Sequence, residues 1–261
     1  MAGDYEEILK AYEAGVQQDI ATRVKFIRDQ VDRAGMRGVV AGISGGIDSA
    51  VVSALSIRAL GPENVVGIWM PAYSNPVHQA DAQALARATG LKLLTVNLDR
   101  TTDELLGAVT AGMQAGGLLK PEEGLCTLTV GNTKARARMA TLYAVAGQLG
   151  YLVIGTCNRT EIHLGYETKG GDQICDFNPI AGIVKAQVRI LAKTLGIPEI
   201  IINKAPSADL WTDQTDEGEM GFTYEEADKI LLTGEGNPEV MARMEMLHSK
   251  SEHKRTLAPG M

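Results

Sequence analysis

The chain has 261 residues, 45% of them hydrophobic and 22% charged, with a formal net charge of -7. That length and balance suit one globular domain with appendages, and the acidic surplus argues against a nucleic-acid partner. Cys126, Cys157 and Cys175 are odd in number and widely spaced, which argues against a disulfide framework or a zinc cluster and fits a cytoplasmic protein. The acidic start, with Asp4, Glu6 and Glu7, lacks the features of a signal peptide, and no apolar run approaches the ~20 residues of a membrane helix.

From Asp4 to Ala34, Ile8, Tyr12, Val16, Ile20, Val24 and Ile27 recur at helical spacing, and Gly35 ends the helix. Gly38 to Ile43 reads as a buried strand and Ala50 to Leu60 as a helix closed by Gly61-Pro62. Strands are predicted at Asn64 to Met70, Leu91 to Val96 and Tyr151 to Gly155. Helices are predicted at Ala80 to Thr89, Thr101 to Met113 and Asn132 to Leu149, with a loop from Gly116 to Leu125. Asn158 to Pro179 is rich in Gly, Asp and Asn without periodicity and reads as a functional loop. Lys185 to Leu195 is helical, Pro206 to Gly221 is acidic and irregular, and Tyr224 to Leu232 and Glu239 to Ser249 are helical. The order implies an α/β fold, a doubly wound parallel sheet flanked by helices, with an N-terminal helix and a helical C-terminal extension. It is expected to be one domain: 1–35 the first helix, 36–200 the α/β core, 201–261 the extension.

Gly42-Ile43-Ser44-Gly45-Gly46-Ile47-Asp48-Ser49 joins the first strand to a helix. Adjacent glycines let the backbone turn sharply and bring N–H groups close to an anion, and the helix N-terminus adds partial positive charge. Ser44 and Ser49 offer hydroxyls. No Lys-Ser/Thr follows the glycines, so this is not a P-loop, and the spacing is not that of the dinucleotide fingerprint. Asp48 would repel a phosphate unless a cation lay between them, which makes it a candidate magnesium ligand; as a bland alternative it caps the helix.

This loop resembles the pyrophosphate-binding loop of the ATP pyrophosphatase superfamily, whose members activate a carbonyl or carboxylate through the α-phosphate of ATP. Four later segments narrow the resemblance. They are Gly131-Asn-Thr-Lys-Ala-Arg-Ala-Arg-Met139, Gly155-Thr-Cys-Asn-Arg-Thr-Glu161, Gly165-Tyr-Glu-Thr-Lys-Gly-Gly-Asp172 with Asp176-Phe-Asn-Pro179, and Lys204-Ala-Pro-Ser-Ala-Asp-Leu-Trp211 with Gln214-Thr-Asp-Glu217. In this order they resemble the ammonia-dependent NAD synthetases over nearly the whole chain.

The resemblance implies an adenine nucleotide alpha hydrolase-like fold and ATP-dependent amidation of deamido-NAD by ammonia, giving NAD, AMP and pyrophosphate through an adenylated nicotinate. It implies that Gly42 to Ser49, Thr156, Lys185 and Ser207 contact ATP, that Asp48 and Glu161 share Mg2+, and that Arg136, Lys169, Asp176, His253 and Lys254 bind deamido-NAD. It also implies a homodimer with the dinucleotide near the interface. Two polyanionic substrates need basic groups gathered locally, and Lys134, Arg136, Arg138, Lys169, Lys185 and His253-Lys254-Arg255 can supply them. Asp172, in the loop motif near the expected site, is the candidate base that takes a proton from ammonium.

Taken singly, Glu161 reads more readily as a cap or salt-bridge residue than as a metal ligand, and His253 to Arg255 as a frayed tail. The chain departs from the family pattern at Glu167, where an aromatic is frequent, at Cys157, usually small or acidic, and at Ser207, which is Thr in some members. Only ~35 residues precede the first strand, too few for a glutaminase domain, so the expected nitrogen source is ammonia.

Overall fold

The computed structural model describes residues 4–206, 211 and 215–260. Four strands, β1 (Val39–Gly42), β2 (Val65–Trp69), β3 (Lys92–Thr95) and β4 (Leu152–Val153), form one sheet in the order β3-β2-β1-β4. All pairs are parallel, with Val39 opposite Val65 and Val40 opposite both Val66 and Val153. A parallel bridge between Ile154 and Phe177 extends the β4 edge. β2 is buried along its whole length, as a parallel strand covered on both faces must be. β3 lies at the other edge with Lys92 exposed, a charge that discourages pairing with a further strand.

Alternation along β1 assigns its side chains to two cores. Val39, Ala41 and Ile43 join the larger cluster, where α1 (Tyr5–Arg33), α2 (Ile47–Leu60) and α7 (Lys185–Leu195) pack together through Ile27, Leu55, Val188 and Leu191. Val40 joins Val66, Ile68 and Val153 under α5 (Thr127–Leu149) on the opposite face. α3 (Pro76–Thr89) and α4 (Asp99–Ala115) flank the β2–β3 side. A third cluster joins α6 (Arg159–Leu164), α9 (Asp216–Met220), α10 (Tyr224–Thr233) and α11 (Pro238–Lys250) through Leu164, Met220, Phe222, Tyr224, Val240 and Met244. The short helices α8 (Glu199–Ile202) and α12 (Glu252–Arg255) complete the described chain. No helix among the described residues is long and apolar enough to cross a membrane.

The chain runs outward from β1 to β3 and then crosses back to place β4 on the other side of β1. The C-terminal ends of β1 and β4 therefore flank the point where the winding reverses, the usual crevice for ligands in open α/β sheets.

Several elements differ from the expectation. α2 starts at Ile47, so Asp48 and Ser49 lie within its first turn and Gly46 is the cap. α5 starts at Thr127. The stretch read as structureless contains α6, whose six residues are too few to display a period, and the acidic segment contains α9.

Candidate active site

Gly45 turns the loop after β1 with φ of 76°, in the left-handed region that glycine alone adopts freely, and a Cβ there would sit 2.7 Å from the His78 carbonyl oxygen. Gly46 donates its N–H to Ser44 Oγ at 3.2 Å, and Ser49 Oγ donates to Gly46 O at 3.0 Å. The loop is thus internally braced, with the α2 N-terminus directly behind it.

Asp48 does not cap α2. Its Oδ2 lies 2.6 Å from Lys185 Nζ, and its Oδ1 accepts from Asn158 Nδ2 at 3.0 Å. Glu161 Oε1 approaches the same ammonium at 3.1 Å. Lys185 is only 3% exposed, and a lysine so buried needs this pairing. Burial alone would lower its pKa, but Asp48 and then Glu161 outweigh burial and hold it above the lysine range. The Glu161 carboxyl is pushed up to about 7, by burial first, against the pull of Lys185.

Glu161 is both a cap and a site residue. Its Oε2 accepts from Asn158 N at 3.0 Å while Asn158 Oδ1 accepts from Glu161 N at 3.1 Å, a reciprocal capping box that fixes the start of α6. Its other oxygen is left for the ammonium and for Tyr224 OH at 3.3 Å. Tyr224 OH also donates to Asp216 Oδ2 at 2.9 Å, and the Asp216 Oδ1 atom is buried without a partner. Burial, the largest influence, raises the Asp216 carboxyl.

Asp48, Glu161, Lys185 and Asp216 line one cavity of about 470 Å³ with the glycine loop, Trp69, Arg138, Thr156, Glu167, Asp172, Trp211 and Lys254. Asp172 is ringed by protein yet open to the cavity; its Oδ1 accepts from Thr168 N at 2.8 Å, and its pKa is raised, chiefly by burial. Glu167 stands beside it, its carboxyl pushed up to about 7 by burial and then by Asp172. Arg138 donates to Met70 O and Ser74 Oγ, both at 3.1 Å.

The C-terminal basic cluster is bonded to the loop after α6. Lys254 Nζ donates to Gly165 O at 2.7 Å and Glu167 O at 2.6 Å, and Lys169 Nζ donates to His253 O at 2.7 Å. Gly165, at φ of 62°, has no room for a side chain because a Cβ would overlap Ser251. Arg255 binds the Ile162 and His163 carbonyls at the end of α6, at 3.2 Å and 3.3 Å.

Of the residues singled out in the sequence, Gly42, Ile43, Ser44, Gly46, Ile47, Asp48, Ser49, Thr156, Glu161, Asp172, Lys185 and Lys254 line the cavity. Gly45 shapes the loop from behind. Arg136, Lys169 and His253 form a connected patch beside Gly170, with Arg136 Nε donating to Lys169 O at 3.2 Å. Asp176 is placed elsewhere: its carboxylate accepts from Val153 N at 2.7 Å and Tyr143 OH at 3.2 Å, which ties the loop to β4. Ser207 lies outside the described residues. The sequence reading gave no role to Asn158, Lys204, Asp216 or Tyr224. The Asn158-x-x-Glu161 spacing is a helix-start signature that identifies Asn158; Lys204 and Asp216 stand inside the segments that carry the resemblance without a spacing that marks a role, and Tyr224 has no local signal.

The NAD synthase family model matches residues 19–258. The chain is 45% identical over 234 residues to the NH(3)-dependent NAD(+) synthetase of Carboxydothermus hydrogenoformans, covering 90% of this chain and 93% of that protein. Among solved structures, NMN synthetase from Francisella tularensis superposes with a TM-score of 0.86 at 33% identity, covering 94% of this chain and 98% of the other. The NH3-dependent NAD synthetase of Campylobacter jejuni superposes with a TM-score of 0.74 at 31% identity and the same coverage. With a braced glycine loop and paired carboxylates at one cavity, and with the family model matching residues 19–258, the chain belongs to the NAD synthase family.

Proposed function

We propose that this chain amidates the nicotinate carboxylate of deamido-NAD with ammonia, using ATP and releasing AMP and pyrophosphate. The observation that carries the reading is the convergence of Asp48 and Glu161 on one cation at the phosphate loop, in the same cavity as Asp172.

The loop N–H groups and the α2 N-terminus are suited to hold ATP phosphates, helped by the Ser44 and Ser49 hydroxyls and Lys185. Asp48 and Glu161 fit Mg2+: both are hard oxygen donors, and both already point at a positive charge. Among the described residues no three acidic, His or Cys side chains form a complete ion cage, which suits an ion that takes its other ligands from phosphate and water. Bound there, magnesium would neutralise charge developing on the pyrophosphate leaving group. The nicotinate carboxylate attacks the α-phosphorus, forming a mixed anhydride as the bond to pyrophosphate breaks. Ammonia then attacks the acyl carbon, AMP leaves, and a proton passes to Asp172. Lys254, with Lys169, Arg136 and His253 beside the cavity, offsets the charge of the dinucleotide.

We further propose a homodimer built on α4. In the single chain this helix buries Thr102 alone, while Leu105 and Val109, one turn apart, are 47% and 43% exposed. Leu128, on the α5 helix that packs against α4, is 61% exposed and lines the cavity, so a partner seated on this pair of helices would border the site. Light scattering of Leu105→Asp, expected to be monomeric against a dimeric parent, tests this. The free cysteines fit a cytoplasmic setting.

A second reading is amidation of the corresponding mononucleotide, favoured by the higher TM-score with the NMN synthetase. Purified protein with Mg-ATP and ammonium salt, given deamido-NAD or nicotinate mononucleotide in parallel, separates the two. Matched NAD, AMP and pyrophosphate with the higher kcat/KM for deamido-NAD supports the first reading, and the reverse preference supports the second.

A further inference from the structure

Glu161 and Lys185 sit at the starts of two helices, α6 and α7, that do not touch each other through a core of their own; what spaces them is a third helix. Asp228 on α10 is 1% exposed, and each of its oxygens takes a hydrogen bond from a different helix start. Oδ1 accepts from Thr160 Oγ1 at 2.6 Å, one residue before Glu161. Oδ2 accepts from Ala186 N at 2.7 Å, one residue after Lys185. The N-cap of α7 is Val184, whose side chain has no acceptor, so Asp228 supplies from outside the bond that a serine or aspartate would supply locally. A carboxylate shared between two helix N-termini also opposes both helix dipoles.

Tyr224 lies one turn away on the same face of α10, with its hydroxyl 3.3 Å from Glu161 Oε1 and its ring centroid 4.7 Å from Lys185 Nζ. Arg159 at the start of α6 donates to Leu231 O of α10 at 3.2 Å. One face of α10 therefore backs the whole charge cluster from behind, without entering the cavity at Asp228.

We propose that Asp228 is a positioning residue that sets the spacing of Glu161 against Lys185 and thereby the affinity of the site for a nucleotide-bound divalent cation. This rests on the reading of Asp48 and Glu161 as the cation ligands. Lost bonds at Asp228 would let the two helix starts shift independently, spoiling a geometry that a hard cation requires.

The test is Mn2+ binding, followed by electron paramagnetic resonance with a non-hydrolysable ATP analogue, in Asp228→Ala, Asp228→Asn and Thr160→Val. In Asp228→Ala the half-saturating Mn2+ concentration should rise about tenfold or more and kcat should fall, while KM for deamido-NAD stays within about twofold. Asp228→Asn can accept from Ala186 N and donate to the Thr160 hydroxyl, so it should recover most of the affinity. If Asp228→Ala melts earlier yet binds Mn2+ and turns over as the parent does, Asp228 is merely structural and the proposal fails. Should Asp228→Ala not fold, Thr160→Val removes one of the two bonds, and unchanged Mn2+ affinity there overturns the proposal. A parent chain that binds no Mn2+ with nucleotide overturns instead the cation-site reading beneath it.

Discussion

Lys185 and Asp48, 137 residues apart in the chain, meet at 2.6 Å, so the charge at the head of α7 neutralises the acid in the first turn of α2. Replacing Lys185 with Met leaves Asp48 and Glu161 facing each other without a counter-charge. Breaking a buried pair in this way costs about 3–5 kcal/mol. Burial then acts unopposed on Glu161, already at about 7, and raises it further. An acid whose folded pKa is raised stabilises the fold below its unfolded pKa and loses that contribution as pH rises through the folded value. Thermal melts of Lys185→Met should therefore show a deficit against the parent that grows as pH rises above about 7. Added Mg2+ should narrow it at pH 8, since the ion takes over the role of the ammonium.

Gly45→Ala and Gly46→Ala separate two functions of the loop. Gly45 has φ of 76° and faces the His78 carbonyl, whereas Gly46 has φ of -98°, which any residue adopts, and a Cβ there would meet only the Ser44 Oγ atom, at 3.2 Å. A non-glycine residue in the left-handed region costs roughly 1–2 kcal/mol before any clash. Gly45→Ala should lower Tm and raise KM for ATP, and Gly46→Ala should leave Tm nearly unchanged. Equal melting of the two variants would show that the left-handed turn carries no constraint.

Glu167 makes the cavity pH-sensitive. Its carboxyl, raised from 4.5 to about 7 by burial and then by Asp172, is neutral at lower pH and becomes a second negative charge beside Asp172 above it. KM for the anionic dinucleotide should rise as pH passes about 7 in the parent and stay flat in Glu167→Gln. The same sign applies to stability: Glu167 favours folding below pH 4.5 and that contribution is lost as pH climbs towards 7, so Glu167→Gln should gain on the parent at pH 8.

Lys254 holds the loop from Gly165 to Glu167 by two carbonyls while lining the cavity. Lys254→Ala should raise KM for deamido-NAD about tenfold, the scale of one charge-assisted hydrogen bond, with a smaller change in KM for ATP. A change confined to ATP would place Lys254 on the wrong substrate.

The legible parts of the site are those written in contiguous residues. The glycine turn from Gly42 to Ser49 between an apolar strand and a helix was legible because turn chemistry and helix polarity are local properties. The sheet was legible for the same reason: β1 and β2 are continuous apolar runs. The cluster behind the loop was not, because Asp216, Tyr224 and Asp228 acquire meaning only when α9 and α10 pack against α6 and α7. Asp176 also braces β4, through its bonds to Val153 N and Tyr143 OH, a structural role that nothing in the loop's composition announces.

The account's central claim is that the carboxylate is activated at the α-phosphate of ATP beside Asp48 and Glu161. Deamido-NAD carrying 18O in its nicotinate carboxylate tests it directly, with mass spectrometry of the nucleotide products after one turnover with ammonia. The account predicts one labelled oxygen in AMP and none in pyrophosphate. Label in inorganic phosphate, accompanied by ADP, would contradict it and move the chemistry to the γ-phosphate.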